Sequence, residues 1–431
     1  MNKFFLIFLS ILLLTACSIN NKSKFWSKKN TEKVNTQNEI LFDNKKNLIK
    51  DFNTNIRINI NENFNNNSFI NNHTNNNGIL NYKGNLKILN KLKISKIHQF
   101  DILFPQPLVT KEHLIYFNGK GSILKFDKDL KLIWKKNYYT KKEKKLMPSL
   151  NFGLQNDTLI ITDNLSNYYA INYSSGNLIW KFKHSSSFHS QIKVLKNNFY
   201  TIDFSNYVRS FSINDGQSKW SYESENTLIK STKRFSFVID NQKLIFLNSV
   251  GDINALDVKN GNLLWQTPTR NNSIKEDSFS TVYSDIIFDK DIVYFSNNKN
   301  EFFAINAQNG SLRWKQNINS VLKSTVLKDL IFSLSNEGYL IVIDKKNGNI
   351  IRATNIFNNK QNNSKKNKLI GFIVSSDKVY LSLTNGKIVI VNINNGTLEK
   401  IFKADNSTIL RPIVDNKKMY IFSKNSIKQY N

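Results

Sequence analysis

Cysteine occurs once in the 431 residues, at Cys17, where it closes the quartet Leu14-Thr15-Ala16-Cys17. It follows Lys3 and an apolar run from Phe4 to Leu14 that is too short to span a bilayer, which is the arrangement of a bacterial lipobox. The chemistry on offer is acceptance of a diacylglyceryl group on sulfur, with cleavage making Cys17 the new N-terminus. Several acyl chains on one residue anchor firmly, because each buried methylene contributes about 0.8 kcal/mol. Ser18 is compatible with sorting to an outer membrane and leaves the choice of membrane open. With Cys17 consumed, the remaining chain offers no disulfide, thiolate nucleophile or zinc-thiolate site.

Other reactive groups are sparse. The histidines are His73, His98, His113, His184 and His189, and only the last two lie close together. They sit five residues apart on what reads as a loop, as solvated polar residues rather than metal ligands. No G-x-S-x-G, phosphate-binding glycine loop or H-E-x-x-H is present. Glu276-Asp277 and the series Asp285, Asp289, Asp291 fall around turns, where carboxylates solvate loops. No catalytic residue, no metal and no cofactor is expected. The net charge of +29 accompanies heavy use of Lys, Asn, Ile and Phe together, the mark of AT-rich coding. An exported chain meets no cytosolic nucleic acid, so a basic face would meet anionic headgroups or an acidic partner instead.

What must position any functional loop is a repeat. AINYSSGNLIW ends at Trp180, ALDVKNGNLLW at Trp265 and AINAQNGSLRW at Trp314, with a degraded copy, SFSINDGQSKW, ending at Trp220. Trp134 closes a shorter turn, while Arg352, Lys400 and Ile88 occupy the anchor in copies that keep the glycine and lose the tryptophan. Successive anchors lie 38 to 49 residues apart, Trp314 to Arg352 being the shortest step and Trp265 to Trp314 the longest. The unit from Phe235 to Thr267 reads as four short strands, FSFVID, KLIFLNS, INALDV and NLLWQT, broken by Asn, Asp and Gly. Gly251, Gly338 and Gly386 precede the third strand, with Asn206 and Asn300 in the same place, as a tight left-handed turn requires.

The expected fold is all-β, an eight-bladed propeller of four-stranded antiparallel blades. After Lys400 only three strands remain, so the last blade needs an N-terminal strand, expected at Gly84 to Asn90. Trp134, Trp180, Trp220, Trp265 and Trp314 are the structural blade anchors, each worth about 3–5 kcal/mol against Ala if buried. Residues 1–17 read as the lipoprotein signal, 18–78 as an Asn- and Lys-rich disordered tether, and 79–431 as the propeller. TKKEKK from Thr140 and NNKQNNSKKNK from Asn358 read as long surface loops.

The A-x-[ND]-x-x-x-G-x-x-x-W pattern resembles the PQQ-like repeat of quinoprotein-type propellers. Joined to the lipobox, the split last blade and the terminal SIKQY, it resembles the BamB family of outer-membrane assembly lipoproteins. The resemblance implies a non-enzymatic periplasmic scaffold, lipid-anchored to the outer membrane. Its implied partner is a BamA-like barrel-assembly subunit, bound through that subunit's periplasmic domains, with unfolded outer-membrane proteins as a further candidate. It also implies a contact loop after the third complete blade, matched here by TLIKSTKR, with Leu228, Ile229, Lys230 and Arg234 as partner-binding residues. On their own, Leu228 and Ile229 equally read as the start of the next inner strand. A quinoprotein dehydrogenase is the alternative; it needs a calcium site and, in many members, adjacent cysteines, which a chain with one cysteine lacks. A generic propeller binding module is the other alternative.

Overall fold

Valine, isoleucine and aromatic runs in this chain are too apolar to leave either face of a sheet in water, and the structure buries both faces. In the unit around Gly251, Lys243–Leu247 is buried throughout and Asp252–Asp257 nearly so, while Leu263–Pro268 alternates between exposed and half-buried. The two middle strands are therefore sandwiched between neighbouring sheets, and the fourth lies at the rim. The computed structural model describes residues 50–60, 63–66, 72–225, 233–269, 281–357 and 368–431, all within the unit Asn47–Asn431. Eight sheets form the blades, each with four antiparallel strands, consecutive in the chain in seven of them. Blades 1 to 7 span 108–136, 150–183, 193–223, 237–268, 287–316, 325–355 and 369–403. Asn206 and Asn300 adopt φ of 67° and 61° ahead of the third strand, where other blades use glycine.

Blade 8 joins the chain's two ends. Its inner three strands are Ile413–Asp415, Lys418–Phe422 and Ser426–Tyr430, and its outer strand is Ile88–Lys93, paired antiparallel with the last of them. That outer strand starts four residues later than the pattern of the repeat indicates. Its register also moves the anchor: Leu89 is the bulged residue, so Asn90, not Ile88, stands opposite Gln429.

The same one-residue register shift occurs in the outer strand of all eight blades, immediately ahead of the anchor. A bulge twists the strand locally and re-aims the side chain that follows it. Here it turns the anchor toward the next blade. Trp180 Nε1 donates to Ile213 O (2.9 Å), Trp220 to Val258 O (3.2 Å), Trp265 to Ala307 O (3.1 Å), Trp314 to Lys345 O (3.0 Å) and Trp134 to Tyr173 O (3.3 Å). Each acceptor is the residue three places after the one paired with its own blade's anchor. Arg352, fully buried, does the same work with a guanidinium, its Nη2 donating to Ile393 O (2.8 Å). Across the seam between blades 8 and 1, Gln429 Nε2 donates to Lys128 O (2.5 Å) while its Oε1 accepts from Asn90 (2.7 Å). Trp180 and Trp220 are 9% exposed, but Trp134, Trp265 and Trp314 are only half-buried, because the outer strand keeps one side in water.

The stretch from 18 to 78 differs from the expected free tether wherever it is described. Phe52 exchanges two backbone hydrogen bonds with Ala353 on the outer strand of blade 6, and Ile58 is buried. Residues 72–80 then run as a strap across the inner strands. Ile239 N donates to His73 O (3.0 Å) and Phe288 N to Thr74 O (2.9 Å), while Asn76 and Val326 exchange two bonds (2.9 and 3.2 Å). Ile79–Leu80 ends the strap by pairing parallel with Val374–Ser375 of blade 7. Asparagine composition favours disorder in a free chain, but here the amides and backbone satisfy inner-strand edges that no other strand covers. TKKEKK also differs from the expected loop: Lys141–Lys145 is a short helix with a Thr140/Glu143 capping box. The stretch from Asn358 lies outside the described residues.

Gly261, at φ 77°, sits under the Trp220 ring so closely that a Cβ would come 2.5 Å from Trp220 Cε3. Trp220→Ala should therefore lower unfolding free energy in urea by about 3–5 kcal/mol, and Gly261→Ala by about 1–3 kcal/mol, with the double variant losing less than the sum because both act on one contact. Full additivity would show that the two residues do not share an interface.

Candidate functional site

The inner strands of blades 4, 5, 6 and 8 are two or three residues long, so the segments leading into them, rather than the strands, face the mouth of the central channel. Charged residues occupy those segments. Asp285, Lys323 and Arg411 each stand two residues ahead of the inner strands of blades 5, 6 and 8, and Lys233 and Arg234 lie just ahead of that of blade 4. Lys193 opens the inner strand of blade 3. Five cations thus gather around one inner carboxylate.

Asp285 lies 3.4 Å from Arg234 Nη2 and 4.0 Å from Lys233 Nζ. Burial alone would raise its carboxyl, but Arg234 and Lys233, with Lys323 and Arg411 behind them, hold it well below the usual carboxylate range. Lys233 also donates to Tyr283 O and to Val321 O (3.0 Å). Lys193 is completely buried and binds the strap, donating to Asn72 O and to Asn75 Oδ1 (2.5 Å); burial, then the Arg234 charge, pushes its ammonium well below its ordinary value. Asn75 further donates to Phe237 O (3.1 Å) and Ile286 O (2.9 Å), so this one amide ties the strap to blade 4 and to the segment ahead of blade 5. Around Lys233, Arg234, Asp285, Lys323 and Arg411, and beside Asn77 of the strap, lies a cavity of about 370 Å³.

Among the residues singled out by sequence, Cys17, Leu228, Ile229 and Lys230 lie outside the described residues. Arg234 is described, and its side chain is turned into the channel against Asp285 rather than outward. The five tryptophans lie at blade interfaces, away from this cavity. His184 and His189 are half-buried rather than solvated: His184 packs on Phe188 and Phe211, and His189 on Phe204 and Phe235 with its Nε2 3.1 Å from Lys233 O. Asp289 pairs with Lys345 (2.9 Å) and Asp291 accepts from Gln308 (3.1 Å), but Asp285 is a channel residue and not a loop-solvating one. Glu276 and Asp277 lie outside the described residues. Lys193, Lys323 and Arg411 were missed; aligning the repeats on their inner strands, instead of on tryptophan, would have shown charge recurring at one position.

A divalent cation does not fit this channel. Its one inner carboxylate is already shared by two cations, and no group of three or more His, Cys, Asp or Glu gathers elsewhere among the described residues. Among the described residues no helix is long and apolar enough to cross a membrane.

A family model described as outer membrane protein assembly factor BamB matches residues 106–354. No curated protein matches the chain in sequence. Among solved structures, BamB from Moraxella catarrhalis superposes with a TM-score of 0.65 at 15% identity, covering 80% of this chain and 99% of that one. A quinohemoprotein alcohol dehydrogenase from Comamonas testosteroni gives 0.61 at 9% identity, over 82% and 78% of the two chains. The computationally designed protein Ika8 gives 0.60 at 11%, over 81% and 99%. At these identities the structural likeness is one of fold.

The depressed Asp285 carboxyl makes a pH prediction. A group whose folded pKa lies below its unfolded value of about 3.9 contributes stability above that value and loses it as pH falls further. Wild type should therefore be more stable than Asp285→Asn in urea at pH 6, with the gap closing as pH falls below about 4; a gap that is constant down to pH 2 would show that the ion pairs contribute nothing.

Proposed function

Because the chain belongs to the family of the outer membrane protein assembly factor BamB, whose model covers more than half of it, we propose that it is a non-enzymatic periplasmic scaffold of the outer-membrane β-barrel assembly machinery. In this reading Cys17 carries the lipid that holds the protein on the periplasmic side of the outer membrane. The propeller docks the periplasmic domains of a BamA-like barrel-inserting subunit and so aids insertion of outer-membrane proteins. The observation that carries the proposal is the family match across six consecutive blades, supported by the fold shared with BamB from Moraxella catarrhalis.

A rigid ring suits the task, because its blades hold loops in fixed relation while the loops supply contacts. The proposed contact is the segment between blades 3 and 4, with Leu228 and Ile229 as apolar anchors and Lys230 as a basic flank. Arg234 belongs to the same segment, but its pairing with Asp285 suits it to fixing the segment's base on the channel mouth.

Affinity purification of the tagged protein from membranes should recover a large barrel protein with periplasmic domains, and Leu228→Asp with Ile229→Asp should cut that recovery about tenfold or more, as loss of a hot-spot pair does. Recovery of no such protein from wild type would overturn the scaffold reading. Separately, Cys17→Ser should move the protein from the membrane to the soluble periplasmic fraction; full membrane retention would overturn the lipid anchor.

A further inference from the structure

Two of the channel cations have donors to spare. Lys323 is half-buried and has no hydrogen-bond or ion-pair partner among the described residues, and it interacts electrostatically with Arg411, Asp285, Lys193 and Arg234. Arg411 commits its Nε to Phe372 O (2.6 Å), and its two terminal nitrogens have no partner among the described residues. Its stem passes over Gly371, where a Cβ would come 2.9 Å from Arg411 Cβ, so glycine makes room for the guanidinium to reach the cavity. Neither carboxylate lining the cavity neutralises these two cations: Asp285 is shared by Lys233 and Arg234, and Asp101 at the rim faces Lys424 (3.4 Å). Like charges held together in a partly buried site cost free energy that an anion would recover.

Apart from Asn77 and Gln106, the rest of the lining is apolar, including Leu103, Phe104, Leu322, Ile370, Leu410 and Pro412. A cavity of about 370 Å³ is of the size that takes a small organic molecule, and convergent charges on an apolar wall are how such sites orient one. We propose that the channel mouth binds a small organic anion, a carboxylate or phosphate head on an apolar body, with the head between Lys323 and Arg411 and the body against Leu103, Phe104, Leu322, Ile370, Leu410 and Pro412. Charge-assisted hydrogen bonds to the guanidinium give the head its direction. Inorganic phosphate lacks the body, and a neutral alcohol lacks the head. Neither fills the site. No partner protein enters this inference, so it stands apart from the scaffold reading.

The experiment is calorimetric titration of the purified full chain with 3-phenylpropionate, phenyl phosphate, inorganic phosphate and 3-phenylpropanol. One or both of the aromatic anions should bind at one saturable site, and whichever binds more tightly identifies the head. Lys323→Gln and Arg411→Gln should each weaken that binding by about tenfold or more, the loss of one hydrogen bond to a charged group, while Lys418→Gln, whose partner is Asp129, should leave it unchanged. Ile370→Trp, which fills the cavity from its apolar wall and alters no charge, should abolish binding and so tests the site even if a charge variant fails to fold. Absence of saturable binding by both aromatic anions, equal affinity for 3-phenylpropanol or for inorganic phosphate, or undiminished binding in both Ile370→Trp and a folded charge variant would each overturn the proposal.

Discussion

One donor aimed at one carbonyl holds this ring together. The outer strand of each blade bulges by a residue; in blades 1 to 6 the side chain after the bulge reaches across to the neighbouring blade, and at the seam between blades 8 and 1 Gln429, opposite the residue after the bulge, does so. In seven of eight interfaces a side-chain N–H, from an indole, a guanidinium or an amide, thus meets the same carbonyl of the following turn. That carbonyl belongs to the residue directly after the third strand of its blade, and a buried acceptor left unpaired costs about 1–3 kcal/mol. Where tryptophan is absent the contact is replaced by equivalent chemistry at Arg352 and Gln429, while at the interface of blades 7 and 8 the anchor is the exposed Lys400, which makes no such bond among the described residues. Arg352 illustrates the replacement: a guanidinium buried at the anchor is tolerated because Ile393 O, Asn394 O and Ile56 O accept from it.

The N-terminal strap follows from the same economy of edges. A propeller leaves the inner edge of every blade unpaired toward the channel, and a chain segment passing that way finds backbone groups without partners. Asn75 meets five groups in or just ahead of the inner strands of blades 3, 4 and 5 with one amide. A hydrophobic residue there would strand them. The Arg352–Ile56 contact and the Phe52 bridge bring the segment upstream against the outside of blade 6, so residues that look like linker serve as mortar on both the outer and the inner side of the ring.

Charge in the channel has a different origin. Nothing in the packing of blades requires lysine or arginine ahead of an inner strand, and gathering them there works against stability. Asp285 offsets part of this by pairing with Lys233 and Arg234, and Lys193 is answered by the strap. Lys323 and Arg411 are left facing a cavity. Residues whose local cost has no structural return are where function is to be sought.

The blade count, the strand boundaries to within a few residues and the joining of the two ends were legible in the chain, because a repeat imposes one local pattern eight times and copies such as NGNIIR and NGTLEK remain readable after the tryptophan is gone. Left-handed turns at Asn206 and Asn300 were legible for the same local reason. The strap was not, since asparagine-rich sequence has no pattern of its own and takes its order from edges contributed by residues more than a hundred positions away. Nor was the channel cluster, in which Lys193, Arg234, Asp285, Lys323 and Arg411 belong to five different blades and meet only because the ring closes. Sequence alone determined what each blade would be, since short-range alternation and turn chemistry decide that; tertiary structure decided which charges would share a cavity, because that depends on where curvature brings the start of each blade.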